Sequence, residues 1–337
     1  MSDAVPGFGH LWTMTDEQGT YEHAKGAVAR TEHGYCTDDV ARVLVVATRE
    51  PHPTAQVRRL AHSSLRFVAD AQDLTGACRN RKSADGRWRG AHTVEDCWGR
   101  SLWAFGVAAA DRSEQLGRAA LAHFDQGAQQ RSPWPRAMAF AALGASAVTA
   151  SHPGHRSALE LLEAVGDVIG TRGTDLLWPW PEPRLTYANA VLPDAMIATG
   201  TALHRPTLVD DGLELLDWLL ARETVDEHLS VTPVGGAGPH DAEHGFDQQP
   251  IEVASMADAC ARAWALTGEP RWANGIRMAA AWFDGSNDSA SQMWDCGTSG
   301  GYDGLEADGF NRNQGAESTI ALISTHQQAQ LLSTVPA

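Results

Sequence analysis

Two pairs of adjacent carboxylates are the residues of this sequence best suited to chemistry. Asp38–Asp39 ends the motif HGYCTDD, Glu95–Asp96 lies within HTVEDCWGR, and Glu252 closes FDQQPIE. Neighbouring carboxylates hold their protons unequally, and a helix N-terminus favours the ionised form. Glycosidic-bond cleavage requires one protonated and one ionised carboxylate. We therefore predict catalytic roles for all five acids, with the proton donor in Glu95–Asp96 and the base or nucleophile at Asp39 or Glu252.

The same motifs contain side chains suited to holding a sugar. Asn and Gln offer both donors and an acceptor to hydroxyl groups, and the twelve Trp of the chain suit stacking against sugar rings as well as core packing. We predict substrate-binding roles for His33, Tyr35, Trp98, Arg100, Trp180, Tyr187, Asn189, Asp247, Gln248, Gln249, Asp303, Asn311, Asn313 and Glu317.

Several of these acids also have a simple structural interpretation. Thr37 is placed to cap a helix that opens with Asp38 and Asp39, and Thr93 and Asp96 have capping-box spacing. Pro250 fits the first position of a helix, which would place Glu252 in the first turn. The amides and Trp beside these acids have no capping role, which favours a site.

Two classes of helix must position these motifs. Ala-rich segments that are apolar on nearly all sides predict buried helices, at 39–49, 95–110, 134–149, 188–203, 250–267 and 314–329. Amphipathic segments alternate with them, at 54–72, 114–130, 155–169, 206–222 and 270–284, and a short helix near 10–15 would complete a sixth pair.

The alternation predicts an all-α fold, an (α/α)6 barrel of six helical hairpins. The links that lead into the buried helices are long and rich in Gly and Trp, whereas the return links are short. All the long links must then share one end of the barrel with the catalytic motifs. We expect a single domain over 1–337, with its core at roughly 9–329 and a small hairpin within 224–235.

Five motifs together resemble a bacterial six-hairpin glycosidase-like family that is often fused or adjacent to glycosyltransferases and mannoside phosphorylases. They are HGYCTDD-x-AR, EDCWGRSLWAFG, LTYANAVLPDAM, FDQQPIEVASMADAC and YDGLEADGFNRNQGAES. The resemblance covers roughly residues 9–329. It implies an (α/α)6 fold, a functional link to such an enzyme and a mannose-containing oligosaccharide. The positions that match its motifs are Asp38, Asp39, Glu95, Asp96, Asn189, Asp247, Gln248, Gln249, Glu252, Asp303, Asn313 and Glu317. This chain has Cys97–Trp98 where the family has Ser-His, so no role of that histidine carries over.

Composition excludes several classes of partner. A formal net charge of −16 disfavours nucleic acid and anionic membranes, which attract basic proteins. The N-terminus has no signal-peptide pattern, and no apolar run is long enough to span a bilayer. Five irregularly spaced cysteines fit a reducing compartment. We expect a cytoplasmic glycoside hydrolase that acts on oligosaccharides without a metal or other cofactor.

Three alternatives remain open at this stage. A sugar isomerase or epimerase of the N-acylglucosamine 2-epimerase type would use histidine bases, for which His33, His92, His240 and His244 are candidates. A zinc site could draw on Cys36, Cys97, Cys260 and Cys296, although no Cys-x-x-Cys or His-Glu-x-x-His spacing is present. A non-catalytic glycan-binding domain would use the same aromatics and amides, but would not need so many acids.

Overall fold

The computed structural model describes residues 6–110, 114–241 and 245–334, and these residues form a closed ring of paired helices. The inner ring consists of α2 (Thr37–Arg49), α4 (Asp96–Ala109), α6 (Pro135–Ser151), α8 (Val191–Ala202), α10 (Pro250–Thr267) and α12 (Ala316–Thr334). Each inner helix packs against the next, and α12 packs against α2 to close the ring. The predicted (α/α)6 barrel is therefore confirmed.

Each inner helix also packs against at least one outer helix. The outer helices are α1 (Gly9–Thr13), α3 (Ala55–Ala71), α5 (Glu114–Gly127), α7 (Arg156–Ile169), α9 (Pro206–Arg222) and α11 (Pro270–Phe283). The short helix α1 contacts α12 and completes the sixth pair, as its sequence position predicts. Outer helices such as α7 bury only their apolar stripe, whereas α8 is buried along nearly its whole length.

Short antiparallel hairpins rigidify the long links at one end of the barrel. They comprise β1 (Ala24–Lys25) with β2 (Val28–Ala29), β3 (Tyr35–Cys36) with β4 (Arg81–Lys82) and β5 (Trp88–Arg89), β6 (Thr224–Val225) with β7 (His228–Leu229), β8 (Trp294–Asp295) with β9 (Gly300–Gly301), and β10 (Gly304–Glu306) with β11 (Gly309–Asn311). The predicted hairpin within 224–235 is β6–β7. The β3–β4 pairing fixes the chain that enters α2 to the link that enters α4.

Glycine permits the closest helix contact of the ring, between α4 and α6. A Cβ at Gly106 would lie 2.2 Å from the carbonyl oxygen of Gly144, and one at Gly144 would lie 2.2 Å from that of Leu102. The two backbones therefore touch. A Cβ at Gly99 would likewise lie 2.2 Å from the carbonyl oxygen of Ala137, so the first turns of α4 and α6 are held side by side at the mouth. Among the described helices, none is both long and apolar enough to cross a membrane.

Candidate active site

The acids at the N-termini of α2, α4 and α10 do not act as helix caps. Among the described residues, α2, α4 and α10 begin without a side-chain cap, at Cys36, Glu95 and Gln249. The Thr37 hydroxyl donates instead to the carbonyl oxygen of Arg79. Pro250 does occupy the first turn of α10, as predicted. The capping interpretation of Thr37 and Thr93 is wrong, and the neighbouring carboxylates are available for other contacts.

A polar cavity of about 350 Å³ opens at this end of the barrel, and we call it the acid cavity. It brings together eight of the predicted site residues: Asp38, Asp39, Arg100, Asp247, Gln249, Asp303, Asn311 and Glu317. They come from α2, α4, α12 and the links before α10 and α12. Convergence of the mouth motifs, which the hairpin alternation predicts, is thus observed in the structure.

Asp39 and Glu317 meet at the floor of this cavity on one arginine. Nη2 of Arg42 donates to Asp39 Oδ1 at 2.5 Å and to Glu317 Oε2 at 2.9 Å. Because both bonds end on one nitrogen, the two oxygens lie at most about 5.4 Å apart. The Asp39 side chain is 5% exposed and that of Glu317 is 40% exposed, so Glu317 faces the cavity more openly.

The two carboxyl groups are pushed in opposite directions. Burial raises the pKa of Asp39, against the attraction of Arg42, and the charge of Glu317 raises it further. Burial acts in the same sense on Glu317, but Arg42 and Arg100 outweigh it and hold the pKa of Glu317 below its ordinary value. A protonated carboxyl beside an ionised one is the arrangement that acid–base chemistry uses.

Arg100 lies between Asp38 and Asp96. Its Nε is 3.8 Å from Asp38 Oδ1 and its Nη2 is 3.6 Å from Asp96 Oδ2. The guanidinium rests over the ring of Phe140, 4.6 Å from the centroid, and only 4% of the residue is exposed. The other oxygen of Asp38 accepts a 2.7 Å hydrogen bond from Asn80 Nδ2.

Two acids of the links complete the wall opposite α2. Asp303 Oδ1 accepts from the Gly315 N–H at 2.7 Å and from the Ser318 hydroxyl at 3.0 Å, so it fixes the entry to α12. Asp247 packs closely against Gly304, where an added Cβ would lie 2.0 Å from Asp247 Oδ1 and would displace that side chain. Burial raises the pKa of Asp247, and the nearby charge of Glu306 adds to the shift.

A second cavity of about 460 Å³ adjoins the first, and we call it the aromatic cavity. Its lining contains three further predicted site residues, Glu95, Asp96 and Tyr187. The Tyr187 hydroxyl donates to Asp96 Oδ2 at 2.8 Å, and the Arg136 guanidinium lies 4.9 Å from the centroid of the Tyr187 ring.

The remaining predicted site residues lie outside both cavities. Trp98 is fully buried and donates its indole N–H to the Gly127 carbonyl, and Tyr35 is fully buried with its hydroxyl on Asp16. Trp180 stacks on Trp218 of α9. These three rings are apolar enough to pack in the core, and the sequence signal for sugar stacking does not separate the two uses. The structure therefore corrects the prediction that they contact a ligand.

The other five predicted site residues contact protein groups around the mouth of the barrel. Glu252 accepts from the N–H groups of Ala188 and Asn189 and from the Asn189 amide, which pins the start of α8 to α10. Gln248 is fully buried on Asp288, and Asn313 accepts from the Gly26 N–H. His33 packs edge-on against His23, 5.1 Å between centroids. None of the five lines either cavity, and the contacts of Glu252, Asn189, Gln248 and Asn313 favour a positioning role over the direct one predicted.

Several cavity residues were not predicted. In the acid cavity they are Glu22, His23, Cys36, Arg42, Arg81, Gly315 and Ser318, and in the aromatic cavity Asn80, Cys97, Trp134, Pro135, Arg136 and Glu182. Arg42 could have been found, because it follows Asp39 by three residues on one helix face. Glu22 and His23 lie in a link without any periodic pattern, and only the fold places them.

Among the described residues, none of the histidines predicted as isomerase bases lines either cavity. His92 lies 3.5 Å from Asp73 and His240 is exposed, while His244 lies outside the described residues. Cys260 is buried and Cys296 is exposed on a link. Within the described chain, ligand atoms within 4.8 Å of one another occur at Glu22, Cys36 and Asp39. Glu22 and Asp39 already pair with Arg81 and Arg42, which disfavours a cation there.

No protein-family model matches this chain, and no curated protein matches it. Solved structures do match its fold. A sugar epimerase from a ruminal bacterium superposes with a TM-score of 0.72 at 9% identity, over 100% of this chain and 97% of that one. Cellobiose 2-epimerase from Spirochaeta thermophila gives 0.66 at 12% identity, over 96% and 93%.

A metagenome-derived glycoside hydrolase family 9 endoglucanase also superposes, with a TM-score of 0.60 at 10% identity, over 92% of this chain and 70% of that one. At such identities the similarity establishes the fold. The chain therefore shares its six-hairpin (α/α)6 barrel with sugar epimerases and with glycoside hydrolases.

Proposed function

We propose that the protein is a carbohydrate-active enzyme, and specifically a glycoside hydrolase whose reaction centre is the pair Asp39–Glu317. The observation that carries the proposal is the shared contact of both carboxylates with Arg42 at the floor of the acid cavity. Burial favours a proton on Asp39, and the two arginines favour charge on Glu317. The epimerase and endoglucanase that share the fold support a sugar as substrate.

The geometry favours a double displacement. Retaining glycosidases hold their two carboxyl groups about 5–5.5 Å apart, and inverting enzymes about 6.5–9.5 Å apart. The two oxygens that Arg42 binds in this site are at most about 5.4 Å apart, which is shorter than the separations of the second class. Glu317 would attack the anomeric carbon while Asp39 protonates the departing oxygen. Asp39 would then take a proton from the water that releases the sugar from Glu317.

This assignment differs from the one that the sequence favours. The sequence places the proton donor in Glu95–Asp96, but Asp96 accepts from Tyr187 and lies beside Arg100 in the neighbouring cavity. Asp39 lines the acid cavity and combines burial with the adjacent negative charge of Glu317.

A sugar isomerase or epimerase is the second candidate, and His23 is the observation that favours it. His23 lies in the wall of the acid cavity, with Nε2 3.7 Å from Glu22 Oε1. An imidazole in that position could move a proton on an open-chain sugar. Both epimerase structures superpose over nearly the whole chain. The candidate differs from hydrolysis in leaving the substrate mass unchanged.

Mass-spectrometric analysis of products from a panel of oligosaccharides and aryl glycosides tests the proposal. Wild type is compared with Asp39→Asn, Glu317→Gln and His23→Asn, and with Asp217→Asn as a control on the outer helix α9. Cleavage lost in the first two variants and kept in the control supports the hydrolase. A mass-neutral conversion that is lost in His23→Asn supports the isomerase. If wild type binds a glycan but leaves it chemically unchanged, both proposals are overturned.

A further inference from the structure

The acid cavity and the aromatic cavity share one wall. Asn80 of the aromatic cavity donates to Asp38 of the acid cavity, and Cys36 lies 3.2 Å from the same amide. Arg100 reaches towards Asp96 on one side and Asp38 on the other. A ligand leaving the acid cavity along this wall would enter the aromatic cavity directly.

Two buried, oppositely charged atoms on that wall lie close together. Within the described residues, Asp38 Oδ1 and Arg100 Nε make no hydrogen bond, and they lie 3.8 Å apart. Each buried charge has an oppositely charged neighbour, so the pair holds Asp38 of α2 against α4. The wall between the two cavities is therefore fixed.

The aromatic cavity exposes the kind of surface on which sugar rings stack. Trp134 is 56% exposed at the start of α6, and its backbone N–H donates to the Ser132 hydroxyl. Tyr187 is 43% exposed opposite Asp96. Glu182 is held in a two-pronged contact with Arg136, both bonds at 2.8 Å, so its oxygens are fixed as acceptors at the rim. Exposed aromatics beside fixed carboxylates match the apolar faces and hydroxyl edges of a sugar.

We propose that the aromatic cavity is a second sugar subsite, so that the substrate is a chain of at least two sugar residues lying across the wall. The sugar ring beyond the wall stacks on Trp134, which is exposed in the cavity lining. The inference rests on the proposed carbohydrate function and names the substrate class for it. An aryl glycoside of a single sugar would fill the acid cavity without a sugar on Trp134.

Steady-state kinetics on substrates of increasing length test this inference. We expect Trp134→Ala to lower kcat/KM about tenfold for di- to tetrasaccharides and to leave an aryl monoglycoside within about twofold. Trp134→Phe should recover most of the loss. Leu74→Ala, at a 97% exposed position, serves as the control for surface truncation. Calorimetry with Asp39→Asn measures oligosaccharide binding without turnover, and Trp134→Ala in that background should weaken binding by a similar factor.

The outcomes separate the two proposals. If wild type cleaves glycosides and Trp134→Ala matches it at every length, the subsite is overturned while the hydrolase stands. If wild type neither cleaves nor converts any sugar, the proposed function fails. Oligosaccharide binding by Asp39→Asn that depends on Trp134 would then still support the subsite. Equal loss on the monoglycoside and on the longer chains would indicate a general structural effect and would overturn the subsite.

Discussion

Asp39 and Glu317 are 278 positions apart in the sequence and accept hydrogen bonds from the same nitrogen of Arg42. The contact joins the first turn of α2 to that of α12, where the barrel closes. If this pair performs the reaction, kcat/KM should follow a bell-shaped pH profile. The acidic limb should reflect Glu317, whose lowered pKa keeps it ionised over most of the range. The alkaline limb should reflect Asp39, whose raised pKa keeps its proton available at higher pH.

Replacing either carboxylate of the Asp39–Glu317 pair should remove one limb of the pH profile and most of the activity. We expect Asp39→Asn to lower kcat/KM by about 10²–10⁴-fold, the range for a general acid or base. Glu317→Gln removes the nucleophile and should lower it at least as much. In Asp39→Asn the residual activity should no longer fall on the alkaline side. An unchanged alkaline limb in that variant would assign the proton donor elsewhere, with Asp247 as the next acid to replace.

The ring of helices was predictable because its periodicity is local. The alternation of all-apolar and amphipathic segments specifies inner and outer helices, and even the short helix α1 follows from the pairing rule. The site was predictable only in part. Asp39 and Glu317 lie in sequence motifs, but their union on Arg42 depends on ring closure. Trp98 shows the limit in the other direction, since a core Trp and a sugar-stacking Trp have the same signature. Trp134 differs from it in exposure alone.

Glu252 should prove structural rather than catalytic. Its carboxylate holds three donors at the start of α8, and Glu252→Gln replaces one acceptor oxygen with an amide that cannot accept from Asn189. We expect a loss of about 1–3 kcal/mol in the free energy of unfolding, measured by urea denaturation. At a temperature where the variant is folded, kcat should stay within a few-fold of wild type. A fully folded but inactive Glu252→Gln would return this residue to the reaction.

Glu223 should make the fold less stable as the pH rises. Burial is the main cause that raises the pKa of this carboxyl from 4.5 to about 7, although Thr232 donates to it. The folded state therefore binds the proton more tightly than the unfolded state, and stability falls as the pH rises from 4.5 through about 7. The cost above that range is at most about 3 kcal/mol.

Glu223→Gln keeps an acceptor for Thr232 and removes the charge. Its unfolding temperature should exceed that of wild type at pH 8.5 and approach it at pH 5. The exposed Glu227→Gln is the matched control and should change neither value. If Glu223→Gln changes the unfolding temperature equally at both pH values, the buried carboxyl does not take up a proton between them, and the prediction is wrong.

The close approach of α4 and α6 gives the last prediction, which concerns the scaffold that aligns both cavities. In Gly106→Ala the new methyl would lie 2.2 Å from the backbone oxygen of Gly144, and no side-chain rotation relieves a clash with backbone. We expect a loss of about 3 kcal/mol, the upper end for overpacking. Gly166→Ala on the outer helix α7 meets no atom within 4 Å and should instead stabilise the protein by about 0.5–1 kcal/mol. Both values come from urea denaturation. If Gly106→Ala leaves the free energy of unfolding unchanged, the two helices can move apart. Close packing of α4 on α6 would then not be what holds the Arg100 contacts between the cavities.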